Sequence, residues 1–168
     1  MRVFFKLVIL AIGIAAVIGG SLVLLRRVPA AQIIMEATLP PPRVAPPYVD
    51  LGVLRVPVDI ADDASEITKG LSGRESLSQD RGMLFVFANP DRYRFWMPDM
   101  HFPIDIIWIE EGKVVGIAEN VSNEFDPVDP EFYLPPVPVR YVLEVNAGFS
   151  KKHGITTNIP VTFDLVAD

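Results

Sequence analysis

The sequence contains no cysteine and only two histidines. Without thiols the chain forms no disulfide, has no thiolate nucleophile and builds no zinc site from cysteine ligands. It also lacks a glycine-rich phosphate loop and a serine nucleophile elbow. These absences leave the hypothesis of a covalent hydrolase without support. They leave the compartment open, because exported domains need not carry disulfides.

Positive charge is scarce outside the N-terminal part. Residues 1–48 carry five Lys or Arg and one Glu, whereas residues 49–168 carry ten Lys or Arg and twenty Asp or Glu. Nucleic-acid binding needs a basic footprint, and anionic lipid attracts basic rather than acidic surfaces. We therefore predict no nucleic-acid partner for residues 49–168. Their acidic side chains are typical of a solvated protein surface.

An uncharged apolar run occupies residues 7–25. As a helix it would be about 28 Å long, close to the bilayer core of about 30 Å. Arg26 and Arg27 follow the run where a signal peptidase would need small residues, so residues 1–27 are predicted to be an uncleaved transmembrane signal anchor. A cleaved signal peptide is the alternative. The flanking charges are nearly balanced, and we expect the N-terminus in the cytoplasm and the domain outside the cell membrane.

Residues 28–49 form a proline-rich linker. The triplet Pro40-Pro41-Pro42 and the pair Pro46-Pro47 favour polyproline II, which is stiff and has no core. We expect this segment to hold the domain of residues 50–168 away from the membrane.

The domain shows short runs of strand-like residues separated by Pro and Gly turns. The pattern predicts strands over residues 53–60, 83–87, 94–97, 105–109, 113–118, 140–146 and 161–166. Helices are predicted over residues 64–71, capped by Asp62 or Asp63, and over residues 149–153, ended by Gly154. The fold class is therefore mainly β, an antiparallel sandwich or barrel with one or two short helices.

Several ordered motifs make the chain resemble a known family. They are Gly70-Leu71-Ser72-Gly73-Arg74, Gly82-Met83-Leu84-Phe85-Val86-Phe87, Phe95-Trp96-Met97, Phe102-Pro103-Ile104-Asp105, Tyr141-Val142-Leu143-Glu144-Val145-Asn146-Ala147-Gly148 and Gly154-Ile155. In this order they resemble the domain-of-unknown-function family 192 over roughly residues 53–166. The resemblance implies a compact β-sandwich or jelly-roll-like domain and no established activity. After Phe-Trp-Met the family usually continues with Lys-Asn-Thr, whereas this chain has Pro98-Asp99-Met100.

Aromatic, thioether and titratable side chains concentrate between Phe95 and Ile109. Such a mixture at close spacing is typical of a ligand surface or a buried polar feature. An exposed Trp96 could stack on a ligand, or the indole could instead cap the core. We predict a ligand site formed by Trp96, Met97, His101, Asp105, Glu144 and Arg74.

Asp105 and Glu144 lie among apolar neighbours in predicted strands. A buried carboxylate must be paired or hydrogen-bonded. One hypothesis is an ion pair between Arg74 and Asp105 or Glu144. The other is a hydrolase in which the two carboxyl groups act as acid and as base or nucleophile.

Metal sites have weak support in the sequence. Asp99 and His101 could offer oxygen and nitrogen ligands together with Glu144, and the acidic segment 124–131 could hold calcium. The first group has too few histidines and the second lacks the spacing of a calcium loop. We predict no metal and no cofactor, and a semi-rigid surface loop over residues 124–138.

Three functions remain open. The leading hypothesis is a membrane-anchored, extracytoplasmic binding or accessory domain whose partner is a small molecule, a cell-envelope glycan or a protein. The second is a cell-envelope hydrolase using Asp105 and Glu144. The third is a structural or protein-interaction domain without a small-molecule site, which requires Trp96 and Glu144 to be inaccessible to solvent.

Overall fold

The computed structural model describes residues 45–165. The predicted anchor of residues 1–27 and most of the predicted linker lie outside the described residues. Within residues 45–165, neither helix has the length and apolar character that crossing a membrane requires.

Residues 45–165 form seven strands and two short helices, so the prediction of a mainly β domain is confirmed. In chain order these are β1 (Tyr48–Asp50), β2 (Arg55–Ala61), α1 (Ala64–Lys69), β3 (Gly82–Asp91), β4 (Ile104–Glu110), β5 (Lys113–Val121), β6 (Val139–Asn146), α2 (Phe149–His153) and β7 (Thr162–Asp164).

The seven strands belong to one curled sheet in the order β5-β4-β6-β3-β2-β1-β7. Neighbouring strands are antiparallel except β2 and β3, which are parallel and connected through α1. The segment before β7 hydrogen-bonds to the start of β5: the Val114 N–H donates to the Ile159 carbonyl at 3.0 Å, and the Asn158 N–H donates to the Val114 carbonyl at 2.8 Å. The same segment continues into β7, which pairs with β1 at the other end of the sheet. One continuous stretch of chain therefore contacts both ends of the sheet.

Both faces of the central strands are buried. Side chains alternate along a strand, so Ile106 and Trp108 of β4 pack with Phe85 and Val142 on one face, which we call the pocket face. Ile107 and Ile109 lie on the far face, in a core whose other buried members include Leu84, Leu143, Val145 and Phe149. This explains why residues 104–109 read as a continuous apolar run rather than an alternating one.

The helix boundaries follow from their caps. The Asp63 carboxylate accepts hydrogen bonds from the N–H groups of Ser65 and Glu66, and it is therefore the residue that caps α1. Gly70 ends α1 at a φ of +50°, and a Cβ there would lie 3.1 Å from the Phe85 ring. Both the backbone conformation and the close packing favour glycine at this position.

The structure differs from the predicted elements in several places. Residues 94–97 form no strand, because Phe95 makes only an isolated bridge with Tyr133. α1 ends at Lys69 rather than at residue 71, since the chain turns at Gly70. β1 includes Tyr48 and Val49, which had been assigned to the linker. β3 continues through Asn89-Pro90 to Asp91, with a register shift against β6 after Val86.

Asp105 joins three segments of the chain. Its fully buried carboxyl group accepts hydrogen bonds from the N–H groups of Asn120 at 2.8 Å, Gly148 at 3.1 Å and Ser150 at 2.8 Å. These donors belong to the end of β5 and to the turn that starts α2. Asp105 therefore fixes how α2 follows β6.

Replacing this carboxyl group should destabilise the domain strongly. Asp105→Ala leaves the buried Ser150 N–H and the partly buried N–H groups of Asn120 and Gly148 without their acceptor, and we expect the free energy of unfolding to fall by about 3 kcal/mol. Denaturant unfolding measures the change. Asp126→Ala is the control, because the Asp126 carboxylate accepts one N–H in an exposed loop and should change stability by less than about 1 kcal/mol. Equal effects of the two substitutions would contradict the role of Asp105.

Candidate functional site

A cavity of about 260 Å³ opens on the pocket face of the sheet. We call it the Glu144 pocket. Its walls are buried apolar side chains, and the exposed residues Lys69, Arg94 and Trp96 lie at its mouth. The buried apolar lining consists of Leu71, Phe85, Phe87, Phe95, Met97 and Met100.

Two strands, helix α1 and two loops supply these walls. β3 contributes Phe85 and Phe87 from alternate positions, and β6 contributes Glu144. The Phe85 and Phe95 rings meet edge to face with centroids 5.3 Å apart, and Phe87 stacks on Tyr93. The aromatic contacts thus attach the irregular segment 93–100 to the sheet.

Backbone hydrogen bonds fix the loop that carries Trp96. Phe95 and Tyr133 exchange both of their N–H to carbonyl bonds at 2.9 Å. The Ser72 hydroxyl donates to the Pro98 carbonyl at 2.8 Å, and the Gly73 N–H donates to the Asp99 carbonyl at 2.8 Å. Asp99 has a φ of +53°, a conformation that Asp and Asn adopt more readily than most residues.

Trp96 is 49% exposed, although its neighbours Phe95 and Met97 are buried. Its indole stacks on Phe132 with ring centroids 6.0 Å apart and meets Phe125 edge to face. Trp96 is therefore held in place while one part of the ring faces solvent. The protein-interaction hypothesis required Trp96 to be inaccessible to solvent, and the observed exposure does not meet that requirement.

Glu144 is the buried carboxyl group of the pocket, with 7% of the residue exposed. In register it faces Met83 of β3 and Ile106 of β4, so its sheet neighbours are apolar. Burial raises the pKa of Glu144 to about 8, and the positive charge of Arg74 opposes this shift only in part. The carboxyl group is therefore mostly protonated at neutral pH.

Arg74 pairs with a carboxylate that the sequence analysis did not consider. Arg74 and Arg81 each contact an oxygen of Asp59 at 2.7 Å. Although partial burial raises it, hydrogen bonds from the two arginines hold the pKa of Asp59 below its usual value. The hypothesis of an ion pair between Arg74 and Asp105 or Glu144 is thus wrong, because Asp59 on β2 binds the guanidinium group.

The six residues predicted to form one site divide between different places. Trp96, Met97 and Glu144 line the Glu144 pocket, whereas Arg74 lies near it and acts on Glu144 through its charge. His101 is on the surface, 3.5 Å from Glu75 and 3.6 Å from Asp99. Asp105 does not line the pocket.

The structure does not bring the carboxyl groups of Asp105 and Glu144 together. In register Asp105 is paired with Val145, and Glu144 is paired with Ile106. Side chains of directly paired residues share a face, so Asp105 lies on the far face and Glu144 on the pocket face. Paired acid and base catalysis by these two groups requires both in one cavity.

The acidic segment of residues 124–131 lines a second, shallower cleft with Met97 and Tyr133. Partial burial, and also Glu131, raises the pKa of Tyr133 to about 12. Among residues 45–165 no group of three or more His, Asp or Glu side chains has the arrangement of a metal site.

The sequence analysis missed much of the pocket wall. Phe85 and Phe87 could have been found, because they alternate along a predicted strand and Phe85 packs on the same face as Glu144. Lys69 and Leu71 fall within the predicted helix 64–71, but the sequence does not show that the end of this helix faces the pocket, and Met100 comes from an irregular loop that no periodic pattern predicts. Nothing in the sequence indicated that Asp59 pairs with arginines, because its partners Arg74 and Arg81 lie 15 and 22 residues away in the chain.

Comparison with known proteins supports the resemblance found in the sequence. The model of the DUF192 family, described as "Uncharacterized ACR", matches residues 49–163. A protein of unknown function from Novosphingobium aromaticivorans DSM 12444 is similar in structure, with a TM-score of 0.61 and 30% identity over 71% of this chain and 84% of the other. A "putative transcription regulator" from Sinorhizobium meliloti 1021 has a TM-score of 0.61 and 28% identity over 70% of this chain and 91% of the other. No curated protein matches the chain.

The buried Glu144 carboxyl group should make stability depend on pH. In the unfolded chain it loses its proton near pH 4.5, but in the folded domain only near pH 8. Because the folded state holds more protons between these values, this group's contribution to stability falls as pH rises from about 4.5 to about 8. Glu144→Gln should remove that fall and increase the free energy of unfolding at pH 7 by about 3 kcal/mol.

Denaturant unfolding at a series of pH values checks this prediction. Glu119→Gln is the matched control, because it makes the same chemical change at an exposed position of β5. Parallel pH profiles for the wild type and Glu144→Gln would show that the Glu144 carboxyl group ionises as in the unfolded chain.

Proposed function

The chain belongs to the DUF192 family, and we propose that its folded domain binds a small, mainly apolar ligand in the Glu144 pocket. The single observation that supports this proposal is the composition of the cavity. Apolar and aromatic walls surround one buried titratable group, which is the arrangement most common in small-molecule sites.

The size of the cavity limits the ligand. An apolar cavity of about 150 Å³ holds one benzene molecule. At about 260 Å³, the Glu144 pocket has room for a single substituted ring or a small bicyclic group. Larger molecules would have to extend past Trp96 into solvent.

Binding is favoured over hydrolysis by the positions of the acids. Glu144 is the one buried carboxyl group that lines the cavity, and Asp105 is engaged by three N–H groups on the far face. Glu144 therefore lacks the second carboxyl group that the hydrolase hypothesis needed.

The sequence supports placing this binding domain outside the cell membrane. In the proposed arrangement residues 1–27 anchor the chain, residues 28–49 act as a spacer, and the domain lies on the extracytoplasmic side. The support consists of the uncharged run of residues 7–25 and the prolines that follow it. A small ligand released in or crossing the envelope would then reach the pocket without entering the cytoplasm.

Removing the exposed aromatic ring at the mouth should weaken binding without unfolding the domain. For Trp96→Ala we expect an affinity for toluene about tenfold lower and a small change in melting temperature, because half of Trp96 is already in solvent. Binding can be followed through the ¹³C methyl signals of methionine in the full-length protein in lipid nanodiscs. Met97 and Met100 line the pocket, so their methyl signals report a ligand in the cavity.

Leu134→Ala is the matched control for this experiment. Leu134 is also an exposed apolar residue, but it does not line the Glu144 pocket. Toluene should bind this variant as it binds the wild type. If toluene leaves the Met97 and Met100 signals of the wild type unchanged, the proposed binding function fails.

Membrane attachment should depend on the apolar run. The full-length wild-type chain should remain in the membrane pellet after alkaline carbonate extraction, and external protease should digest its domain in intact spheroplasts. Ile14→Lys combined with Val17→Lys places two charges in the run, each costing about 3 kcal/mol, and should release the chain. Ala31→Lys with Ile34→Lys has the same spacing outside the run and should stay in the pellet. Extraction of the wild type by carbonate would contradict the anchor.

A further inference from the structure

The polar groups lining the Glu144 pocket differ in whether they are already engaged. The Thr68 hydroxyl donates to the Ala64 carbonyl at 2.6 Å, and the Ser72 hydroxyl donates to the Pro98 carbonyl at 2.8 Å. The Tyr93 hydroxyl donates to the Asn89 carbonyl at 2.7 Å. Each of these hydroxyl groups thus has a backbone partner within the protein.

The Glu144 carboxyl group is different. Within residues 45–165 no donor hydrogen-bonds to it, and its ionisation is governed by burial and by the charge of Arg74 alone. The carboxyl oxygens are not among the described buried side-chain atoms that are sealed from solvent without a partner, so they reach the cavity. Placing them there costs free energy unless a group in the cavity hydrogen-bonds to them, and a ligand could supply that group.

The charges around the pocket are positive. Lys69 and Arg94 lie at the mouth, and no carboxylate among the described residues pairs with either of them. Arg74 lies closer to Glu144 but is held by Asp59, which is separated from Glu144 by Met83 on the intervening strand. A cationic ligand would therefore meet repulsion at the mouth and a carboxyl group that is largely neutral.

We propose that the Glu144 pocket selects an uncharged planar aromatic ligand that carries a hydrogen-bond donor and an acceptor side by side, as in an aromatic carboxamide. The inference deepens the proposed binding function and rests on it. A carboxylic acid has one O–H donor next to a carbonyl acceptor, which matches the edge of a carboxamide in a pair of parallel hydrogen bonds. The ring of the ligand would lie against Phe85, Phe95 and Met97.

Anionic ligands of the same shape cannot pair with Glu144, for a different reason. A carboxylate pushed to the apolar floor would lose its hydration, and it would face a second carboxyl group. It would bind instead with the charge at Lys69 and Arg94 and the ring pointing inward. Its affinity would then not depend on Glu144.

The test compares four probes of similar size: benzamide, benzamidine, benzoate and toluene. The methyl signals of Met97 and Met100 are titrated with each probe in the full-length protein in nanodiscs, at about pH 6. Two hydrogen bonds should give benzamide a dissociation constant at least about tenfold lower than those of benzamidine and benzoate. Raising the pH to about 9.5 should weaken benzamide binding, because the deprotonated acid loses its donor, and should strengthen benzamidine binding.

Two variants separate the role of the carboxyl group from the shape of the cavity. Glu144→Leu should lower the affinity for benzamide about tenfold and leave toluene binding in place. Glu144→Gln keeps a donor and an acceptor and should retain the preference for benzamide, now without the pH dependence.

The outcomes distinguish a failure of the proposed binding function from a failure of the carboxamide inference. If toluene and benzamide both leave Met97 and Met100 unshifted in the wild type, the binding function itself fails. If toluene binds but benzamidine is preferred to benzamide, or if Glu144→Leu binds benzamide as well as the wild type does, the carboxamide inference is overturned and the binding function stands.

Discussion

Burial of the central strands on both faces is the constraint on which this structure depends. A polar side chain in the buried middle of β4 or β6 cannot turn to solvent, so it must find partners in one of two apolar interiors. Asp105 and Glu144 are in directly neighbouring strands and meet this constraint in opposite ways. Asp105 receives three N–H groups and fixes the start of α2, whereas Glu144 receives none and stays largely protonated beside a cavity. The same sheet thus produces one structural and one candidate functional carboxyl group.

The pocket exists because the two faces are covered differently. Regular elements, including β1, α2 and the segment around Val161, supply side chains to the core of the far face. The pocket face is covered by loops after α1 and by residues 93–100, which are fixed at a few points through Tyr133, Ser72 and Gly73. The space left between these loops, the end of α1 and the strands β3 and β6 is the Glu144 pocket.

Periodicity predicted the parts of the fold that depend on local pattern. The alternation in residues 140–146 correctly separated Leu143 from Glu144, and the caps at Asp63 and Gly154 follow from side-chain and backbone preferences. Which strands are neighbours is set by long-range pairing, so the sequence alone could not show that Asp105 and Glu144 face opposite sides. The partner of Arg74 was missed for the same reason, because Asp59 approaches it only through the parallel pairing of β2 and β3. Trp96 and Glu144 were predictable as unusual residues, but not as members of one cavity.

The contact of residues 158–161 with β5, described for the curled sheet, also bears on self-association. An open sheet offers unpaired N–H and carbonyl groups at its edges to any second strand, and this is a common origin of aggregation. Here Gly112 and Val114 at one edge are already bonded to the segment that runs on into β7, and β7 at the other edge has only three residues. Register shifts interrupt β5 beyond that point. A domain crowded with its copies would therefore present little regular edge for a neighbour to extend.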